Sequence, residues 1–252
     1  QRRSPEGAAQ VNGVGLGGIY IGIIALPAAA VEGHGCGAHR AGNAAEVVAR
    51  RAVASAVIGP EPGGIARSLV VGIQVVQVAD NLPLDQFPEI ELLKIRNFAD
   101  DLKIQIEVGS KKMTSGNLER YIEIAAFFES PIVRFVIDGP GFEPDLDEVH
   151  SIIRNAIPKL EKRKIILAIE NHDRFKASEF AEMVEKAGSP FVGICLDSVN
   201  SMGAGEGLET VIEKLAPLTV NLHVKEFSVK RVFHKMGFVI EGCPLGEGML
   251  PV

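Results

Sequence analysis

The stretch that decides the fold is KIILAIENHDRF, which runs from Lys164 to Phe175. Five apolar residues, 165–169, lead straight into Glu170 and four further polar residues. An uninterrupted apolar run of this length is typical of a parallel strand that is covered on both faces. Either this strand simply reaches the surface at Glu170, or it delivers a carboxylate and the imidazole of His172 to a functional site.

The same unit repeats along most of the chain. From about Val70 onward, short apolar segments alternate with segments of helical periodicity, such as EPDLDEVHSIIRNAIPKLEK after IVRFVIDG. A polar residue closes each of six apolar segments, and successive closing residues are 26 to 32 positions apart. These residues are Asp80, Glu107, Asp138, Glu170, Asp197 and His223. Evenly sized strand–helix units favour a closed barrel over an open sheet with a switch point.

We therefore predict an α/β fold, a (β/α)8 TIM barrel that forms a single domain over residues 1–252. An eighth strand is not evident before Val252, so the barrel of this chain is expected to be incomplete. In such barrels the active site lies at the carboxyl ends of the strands. The six closing residues should therefore face one common rim.

Composition limits the classes of function. The chain of 252 residues is 46% hydrophobic and carries a net charge of −6, so a packed core is expected. The acidic balance argues against a nucleic-acid surface, which gathers Lys and Arg on one face. The three cysteines, Cys36, Cys195 and Cys243, are too scattered for a disulfide framework and indicate reduced thiols. We predict a cytoplasmic protein that acts on a small molecule.

Residues 1–65 differ from the rest of the chain. Val14–Ala30 is an apolar run that follows two arginines, which resembles a secretory signal or a short membrane span. Its glycines and Pro27 disfavour a helix, so a buried first strand is the preferred interpretation and no membrane association is expected. GVGLGG (13–18) lacks the strand-then-helix context of a dinucleotide site, and HGCGAH (34–39) holds only one group of zinc-type ligands.

Three of the closing residues form a candidate metal site. Glu170, Asp197 and His223 end three consecutive predicted strands, and neighbouring parallel strands lie about 4.8 Å apart. Two carboxylates and an imidazole suit one divalent ion such as Mn²⁺, Mg²⁺, Co²⁺ or Zn²⁺. Strand alternation gives His172 the parity of Glu170 and Lys225 the parity of His223, so both could face a bound substrate.

Four motifs carry a resemblance to a known family. LAIENHDRF, GICLDSVNS, VNLHVKEF and HKMGFVIEGCPLGEGML resemble the xylose-isomerase-like barrel superfamily, which holds sugar isomerases, ketose 3-epimerases, inosose dehydratases and, more distantly, the endonuclease IV type. The resemblance covers about Val70 to the C-terminus. It implies that Glu170, Asp197 and His223 bind one divalent metal ion and that Glu170 also moves a proton.

The resemblance also implies a reaction. A small ketose, sugar phosphate or polyol would be isomerised or epimerised by abstraction of an α-proton, through an enediolate, with Glu170 as the base. Asn200 stands where many epimerases have a substrate-contacting histidine, and Arg231 lies near the place of a substrate-binding arginine. The predicted substrate-binding residues are His172, Lys225, Arg231, Asn200, Asp80 and Glu107.

Two departures from the family pattern matter. The family's last metal-binding glutamate lies on the eighth strand, and Glu247 falls 24 residues after His223. Because residues 226–246 contain no convincing helix, we expect Glu247 in a long loop over the site and not among the metal ligands. Residues 1–65 resemble the family hardly at all.

Other functions stay open at this point. The same scaffold could dehydrate a keto-polyol, or it could bind a ligand without turnover if the last glutamate is missing. A nuclease-like barrel would need three clustered metal ions, further histidines and a basic groove. The single histidine among the six closing residues and the acidic net charge argue against that use. Barrels of this kind often associate, so a homo-oligomer is compatible with the sequence.

Overall fold

The computed structural model describes residues 20–22, 55–57, 74–80 and 82–250. In these ranges two three-residue strands precede six further strands, which alternate with five α-helices. The strands are β1 (Tyr20–Gly22), β2 (Ser55–Val57), β3 (Val75–Val78), β4 (Gln105–Lys111), β5 (Ile132–Val136), β6 (Ile166–Glu170), β7 (Val192–Asp197) and β8 (Thr219–His223). The helices are α1 (Glu89–Asp101), α2 (Ser115–Phe127), α3 (Leu146–Arg163), α4 (Ala177–Ala187) and α5 (Leu208–Leu215).

The strands form one sheet in the order β1 to β8. The strands from β3 to β8 are parallel, β2 joins β3 in parallel, and β1 is antiparallel to β2. The sheet is curled, because Gln77 on β3 donates a hydrogen bond across it to Asn221 on β8 (3.4 Å). Within the described ranges β8 pairs with β7 alone, so the sheet is a half-barrel. The predicted architecture, an incomplete TIM barrel, is confirmed.

Apolar side chains cover the sheet on both faces. The outer face packs on the helices through one large core, to which every one of β3 to β7 contributes. The inner face carries a smaller cluster that consists of Ile132, Ala168 and Cys195. Arg134 and Glu170 follow two of these residues at a spacing of two, so they lie on the same inner face. Polar groups also enter the barrel from within its strands, at Gln77 and Glu107. Glu107 is the third residue of β4, so the prediction that it ends its strand is wrong.

Two helices begin at side chains that the sequence supplies for this purpose. The Thr114 hydroxyl accepts a hydrogen bond from the backbone N–H of Asn117 at the start of α2 (3.2 Å). The Asp145 carboxylate accepts one from the N–H of Glu148 at the start of α3 (2.8 Å). Each cap contributes about 1 kcal/mol and fixes where the loop from the barrel mouth ends.

After β8 the chain forms an antiparallel hairpin of β9 (Glu226–Arg231) and β10 (Phe238–Cys243). The segment for which the sequence predicts a long loop is therefore largely a hairpin. Its base is anchored by the buried Glu226, whose Oε1 accepts from the backbone N–H groups of Phe227 (3.0 Å) and Leu250 (2.9 Å). Gly248 is needed beside this carboxylate, because a Cβ there would overlap it.

The expectations for the start of the chain are only partly covered. Tyr20–Gly22, within the apolar run 14–30, is a strand, in agreement with the strand interpretation. GVGLGG, HGCGAH and Cys36 lie outside the described residues, and the assignment of one domain to residues 1–252 stays a prediction. Among the described helices none is both long and apolar enough to span a bilayer.

Candidate active site

Three neighbouring strands deliver the three predicted metal ligands to the barrel mouth. Glu170, Asp197 and His223 are the last residues of β6, β7 and β8. Asp197 is the ladder partner of His223, whereas Glu170 is the partner of Cys195, two residues before Asp197. The three side chains thus start from adjacent positions, and their local contacts decide which of them meet.

Glu170 is completely buried and held by three side chains. Its Oε2 lies 2.6 Å from Arg134 Nε and 3.2 Å from His223 Nδ1. Its Oε1 accepts a hydrogen bond from the Asn200 amide (2.8 Å). Burial would raise the pKa of Glu170, but the positive charge of Arg134 and the contact with His223 outweigh burial and hold that pKa well below its usual range. Glu170 is therefore an anion at neutral pH.

Asp197 is equally buried, and its two oxygens face different partners. Oδ1 accepts hydrogen bonds from the backbone N–H groups of Val199 (2.9 Å) and Asn200 (3.0 Å). Oδ2 lies 2.9 Å from the Lys225 ammonium. Asn171 clamps the backbone on either side, since it accepts from the Asp197 N–H (2.6 Å) and donates to the Asp197 carbonyl (3.0 Å). The carboxylate is therefore fixed by its own turn.

Lys225 and Asn200 join the two carboxylates. The Lys225 ammonium donates to the side-chain oxygen of Asn200 (2.9 Å), while the side-chain NH₂ group of the same Asn200 donates to Glu170. Ser198 fixes the backbone of Lys225 by accepting from its N–H (2.8 Å) and donating to its carbonyl (3.0 Å). The Lys225 ammonium thus lies between the Asp197 carboxylate and the Asn200 side chain, which in turn contacts Glu170.

His223 is oriented from the far side of the barrel. Its Nε2 lies 2.8 Å from the Gln77 side-chain oxygen on β3, and the Gln77 amide donates to Glu107 (3.3 Å). An amide oxygen accepts, so Nε2 carries the hydrogen in this arrangement. The opposite nitrogen, Nδ1, then faces the Glu170 carboxylate. This contact is favourable if Nδ1 also carries a hydrogen. It is equally favourable if His223 Nδ1 and Glu170 Oε2 both bind one metal cation.

The donor set fits a divalent cation at Glu170 and His223. Glu170 Oε2 and Asp197 Oδ2 are buried and accept no hydrogen bond of normal geometry within the described chain. Glu170 Oε2 and His223 Nδ1 are 3.2 Å apart. Two ligand atoms that each lie about 2.0–2.2 Å from one ion have a similar separation. In the described ranges the close group of metal-type ligands is Glu170, Cys195 and His223. Asp197 stands outside that group because its carboxylate is turned toward Lys225.

The remaining predicted residues lie at different distances from this cluster. Glu107 belongs to it through Gln77. Asp80 forms an ion pair with Lys111 (2.7 Å), and His172 contacts the neighbouring Asp173 (2.8 Å) on the loop after β6. Arg231 lies at the end of β9, where its contacts are the Lys235 carbonyl and the Phe238 ring. Glu247 is exposed in the segment after β10.

Several site residues were missed by sequence reasoning. Arg134 interrupts the apolar strand IVRFV, and Gln77 interrupts VVQV. A charged residue inside an otherwise apolar parallel strand is itself an indication, because such a residue must have a partner when buried. The parity of Arg134 with the end of its strand places it in the barrel. Asn171, by contrast, follows a strand end and carries no such mark.

Comparison with known proteins places the chain in a family. The family model for the xylose isomerase-like TIM barrel matches residues 72–252. The chain is 33% identical over 195 residues to the 3-oxo-isoapionate decarboxylase of Pectobacterium atrosepticum. The matched region covers 76% of the chain and 71% of that protein. The chain is 22% identical over 176 residues to the uncharacterised Escherichia coli protein YihM, of which it spans about half (52%), with 68% of the chain covered.

Solved structures agree on the fold. A xylose isomerase domain protein from Planctomyces limnophilus superimposes with a TM-score of 0.62 at 14% identity, over 77% of this chain and 81% of that one. A D-psicose 3-epimerase gives 0.59 at 17% identity over 76% and 73%. The probable 3-DHS dehydratase AsbF from Bacillus anthracis gives 0.57 at 16% identity over 75% and 80%. At these identities the likeness concerns the fold alone.

Proposed function

The chain belongs to the xylose isomerase-like TIM barrel family, and on that premise we propose that it forms an enediolate from a small hydroxy-carbonyl compound of the sugar or polyol class. Its relatives and structural neighbours include a decarboxylase, epimerases and a dehydratase. Breaking a bond next to a carbonyl gives an enolate whether a proton or carbon dioxide leaves. A site that stabilises a developing oxyanion serves each of these reactions.

The observation that carries the proposal is the pair of buried carboxylate oxygens at the mouth. Glu170 Oε2 and Asp197 Oδ2 each lie beside a cationic side chain, Arg134 and Lys225, without a hydrogen bond of normal geometry. Such an arrangement holds negative and positive groups ready for a polar ligand. A divalent ion held by Glu170 and His223, and by Asp197 once Lys225 releases it, would supply a Lewis acid for the substrate oxygen.

The charges favour decarboxylation of a 3-oxo acid as the bond-breaking step. Because Arg134 and His223 depress the pKa of Glu170, this carboxylate is a weak base. Loss of carbon dioxide requires no base: the electrons of the C–C bond pass to the carbonyl oxygen, and the enediolate carbon then takes up one proton. Lys225 would donate that proton. The 33% identical relative, named a 3-oxo-isoapionate decarboxylase, supports the same class of substrate.

Isomerisation or epimerisation through α-proton abstraction is the second candidate. It is favoured by the position of Glu170, a strand-end carboxylate beside an imidazole at the barrel mouth. In that case substrate binding must draw Arg134 or His223 away, so that Glu170 gains basicity. Dehydration of a keto-polyol and ligand binding without turnover remain alternatives. Under each of these candidate functions we expect a cytoplasmic protein that binds a metabolite and not a nucleic acid.

One experiment separates the candidates. The full chain is incubated in D₂O with carboxyl-labelled 3-oxo sugar acids and, separately, with ketoses, with and without Mn²⁺, Mg²⁺, Co²⁺ or Zn²⁺. Decarboxylation predicts release of labelled carbon dioxide and one deuterium at the carbon that carried the carboxylate. Epimerisation predicts deuterium in the ketose without carbon dioxide. If neither product forms with any of the four ions, both assignments are overturned and ligand binding without turnover is favoured.

A further inference from the structure

Arg134 is a buried cation that has few good contacts with its own chain. The residue is only 9% exposed, although a guanidinium has five N–H donors to satisfy. Within the described residues its hydrogen bond is a long one, from Nη1 to the Ser110 carbonyl (3.4 Å). Its Nε lies 2.6 Å from Glu170 Oε2 but makes no hydrogen bond of normal geometry. Buried donors in this state indicate an acceptor that a ligand supplies.

Small neighbours give the guanidinium its path to the mouth. In the sheet Arg134 lies between Gly109 on β4 and Ala168 on β6. A Cβ at position 109 would lie 3.3 Å from both Cβ and Cδ of Arg134, which is closer than ordinary packing. The side chain thus runs along the inner face of the barrel and ends at Glu170.

The guanidinium and an imidazole approach the same oxygen atom. Arg134 Nε and His223 Nδ1 lie 2.6 Å and 3.2 Å from Glu170 Oε2. A divalent ion held by Glu170 and His223 would bind that oxygen and repel the guanidinium beside it. Arg134 would then be a buried charge without its counter-charge. Such a charge must be paired, so the occupied site needs another anion next to the ion.

The formal charges of the mouth cluster give the charge of that anion. Glu107, Glu170 and Asp197 carry three negative charges, whereas Arg134 and Lys225 carry two positive charges. With the imidazole neutral the cluster therefore sums to −1, and a divalent ion changes the sum to +1. A substrate with one carboxylate restores neutrality. A neutral sugar would leave one positive charge uncompensated in the interior.

The other arginines near the mouth have counter-charges or contacts that the ion would not disturb. Arg174 pairs with Asp138 (2.7 Å), which is not among the predicted metal ligands, and Lys111 pairs in the same way with Asp80 (2.7 Å). Arg231, the predicted substrate-binding arginine, has its contacts within the hairpin of β9 and β10. Arg134 is the described arginine whose counter-charge is itself a predicted metal ligand.

We propose that Arg134 binds the carboxylate of the substrate and thereby selects hydroxy acids over neutral sugars. The assignment rests on the proposed function for the substrate class and adds the residue that recognises it. A planar guanidinium matches a carboxylate with two parallel hydrogen bonds. In a 3-oxo acid the carboxylate carbon is two bonds from the carbonyl carbon. A guanidinium beside the ion therefore reaches the carboxylate of a substrate whose carbonyl oxygen is bound to that ion.

Binding and bond breaking should depend on Arg134 to different degrees. Carbon dioxide leaves without charge, so the contact with the carboxylate is strongest before the C–C bond breaks. With a 3-oxo acid that the chain decarboxylates, Arg134→Lys should raise KM about 10-fold and leave kcat within about threefold. A fall in kcat at constant KM would overturn the assignment of Arg134 as the carboxylate-binding residue.

Calorimetric titration with two unreactive probes tests the selection without turnover. Erythronate is a four-carbon hydroxy acid without an oxo group, and erythritol is the polyol of the same length. Titrated into the full chain at saturating Mn²⁺, erythronate should bind at least about 10-fold more tightly than erythritol. Mn²⁺ should tighten the binding of erythronate but not that of erythritol, because the ion frees Arg134 for an anion. Equal affinity for the two probes at saturating Mn²⁺ overturns the proposal.

Variants assign the selection to Arg134. Arg134→Lys keeps the charge but loses the two parallel hydrogen bonds, so the Kd of erythronate should rise about 10-fold while that of erythritol stays within about threefold. Gly109→Ala, which crowds Arg134 and leaves its charge in place, should raise the Kd of erythronate as well. Arg174→Lys, the same change at the exposed pair, is the matched control and should leave both Kd values within about threefold. Urea unfolding shows that each variant is folded.

Three results would contradict the assignment. They are an unchanged Kd of erythronate in Arg134→Lys, an equal rise for erythritol, and an equal rise in Arg174→Lys. The test is separate from that of the reaction. If erythronate is selected through Arg134 but no 3-oxo acid is decarboxylated, the proposed reaction fails and the role of Arg134 stands. If a 3-oxo acid is decarboxylated with an unchanged KM in Arg134→Lys, the reaction stands and the role of Arg134 fails.

Discussion

Two arginine–carboxylate pairs at the barrel mouth are built in different ways. Arg174 grips Asp138 with two hydrogen bonds, from Nε (3.0 Å) and Nη2 (2.7 Å), and both side chains are partly exposed. Arg134 approaches Glu170 at 2.6 Å in the buried interior, but neither contacting atom has a hydrogen bond of normal geometry. The outer pair has good hydrogen-bond geometry and is partly exposed to water. The inner pair has poor hydrogen-bond geometry and is buried.

Under the proposed function, the outer pair has a structural role and the inner pair belongs to the ligand site. The outer pair ties the loop after β5 to the loop after β6, and Arg174 also donates to the Pro144 carbonyl (2.7 Å). Water screens such a contact, so its net stabilisation is small. The inner pair is not screened, and neither charge can be left alone in the interior. A strong attraction with a poor hydrogen bond leaves the Glu170 oxygen available to a ligand.

The largest expected effect comes from removing the inner cation. Arg134→Leu strands the Glu170 carboxylate in the interior, and we expect a loss of about 3–5 kcal/mol in the free energy of unfolding. Urea denaturation followed by circular dichroism measures it. The loss should shrink in the double variant Arg134→Leu with Glu170→Leu, where no charge is left unpaired. A loss below about 1 kcal/mol would mean that water reaches this pair.

The second largest effect on the free energy of unfolding is expected from acid, which should protonate Glu170 and break the inner pair. The pKa of Glu170 is lowered on folding, so its contribution to stability is fully present above the unfolded pKa, about 4.3. That contribution is lost as the pH falls through the folded pKa. The difference in unfolding free energy between the wild type and Glu170→Gln should therefore be constant near neutral pH and decline below about pH 4. A difference that declines already between pH 7 and 5 would contradict an ionised, paired Glu170.

Loosening the turn that holds Asp197 should have an intermediate effect. Asn171→Ala removes the hydrogen bonds to the Asp197 backbone and to Ser201, and it leaves buried polar groups without partners. We expect a loss of about 2 kcal/mol in urea unfolding. Asn117→Ala, which removes two exposed amide hydrogen bonds to the loop before α2, is the control and should cost less. Equal losses would show that Asn171 has no special role.

The smallest effect is expected at the outer pair. Arg174→Leu should lower the unfolding free energy by about 1 kcal/mol, and the difference should narrow in high salt because this pair is partly exposed. The effect of Arg134→Leu should change little with salt. Measuring both variants at low and high ionic strength tests the comparison directly, and a similar salt dependence of the two would remove it.

The sequence predicts the frame of the site well. The even spacing of closing residues places Glu170, Asp197 and His223 at the ends of β6, β7 and β8, because apolar runs in a parallel sheet end where side chains reach the mouth. It does not predict which of the three meet. Asp197 turns toward Lys225 because of its own backbone turn and because Lys225 lies just after the neighbouring strand β8. Such contacts depend on rotamers and loop geometry, which spacing does not determine.

Two other regions show why prediction stops where it does. Gln77 orients His223 from across the barrel, and 146 residues separate them in the chain. The curl of the sheet brings them together. The hairpin is missed for a different reason: FSVKR and FVIEGC alternate only weakly between apolar and polar residues. Residues without helical periodicity are predicted as a loop here, although a hairpin lacks that periodicity as well.

The central claim is that the ends of β6 and β8 hold a divalent ion where an enediolate forms. Anomalous scattering from crystals of the full chain grown with Mn²⁺ tests it most directly. The account predicts one peak within coordination distance of Glu170 Oε2 and His223 Nδ1, with the Lys225 ammonium displaced from Asp197. A mouth without a peak at saturating Mn²⁺, with Arg134 and His223 still on Glu170, would contradict the account.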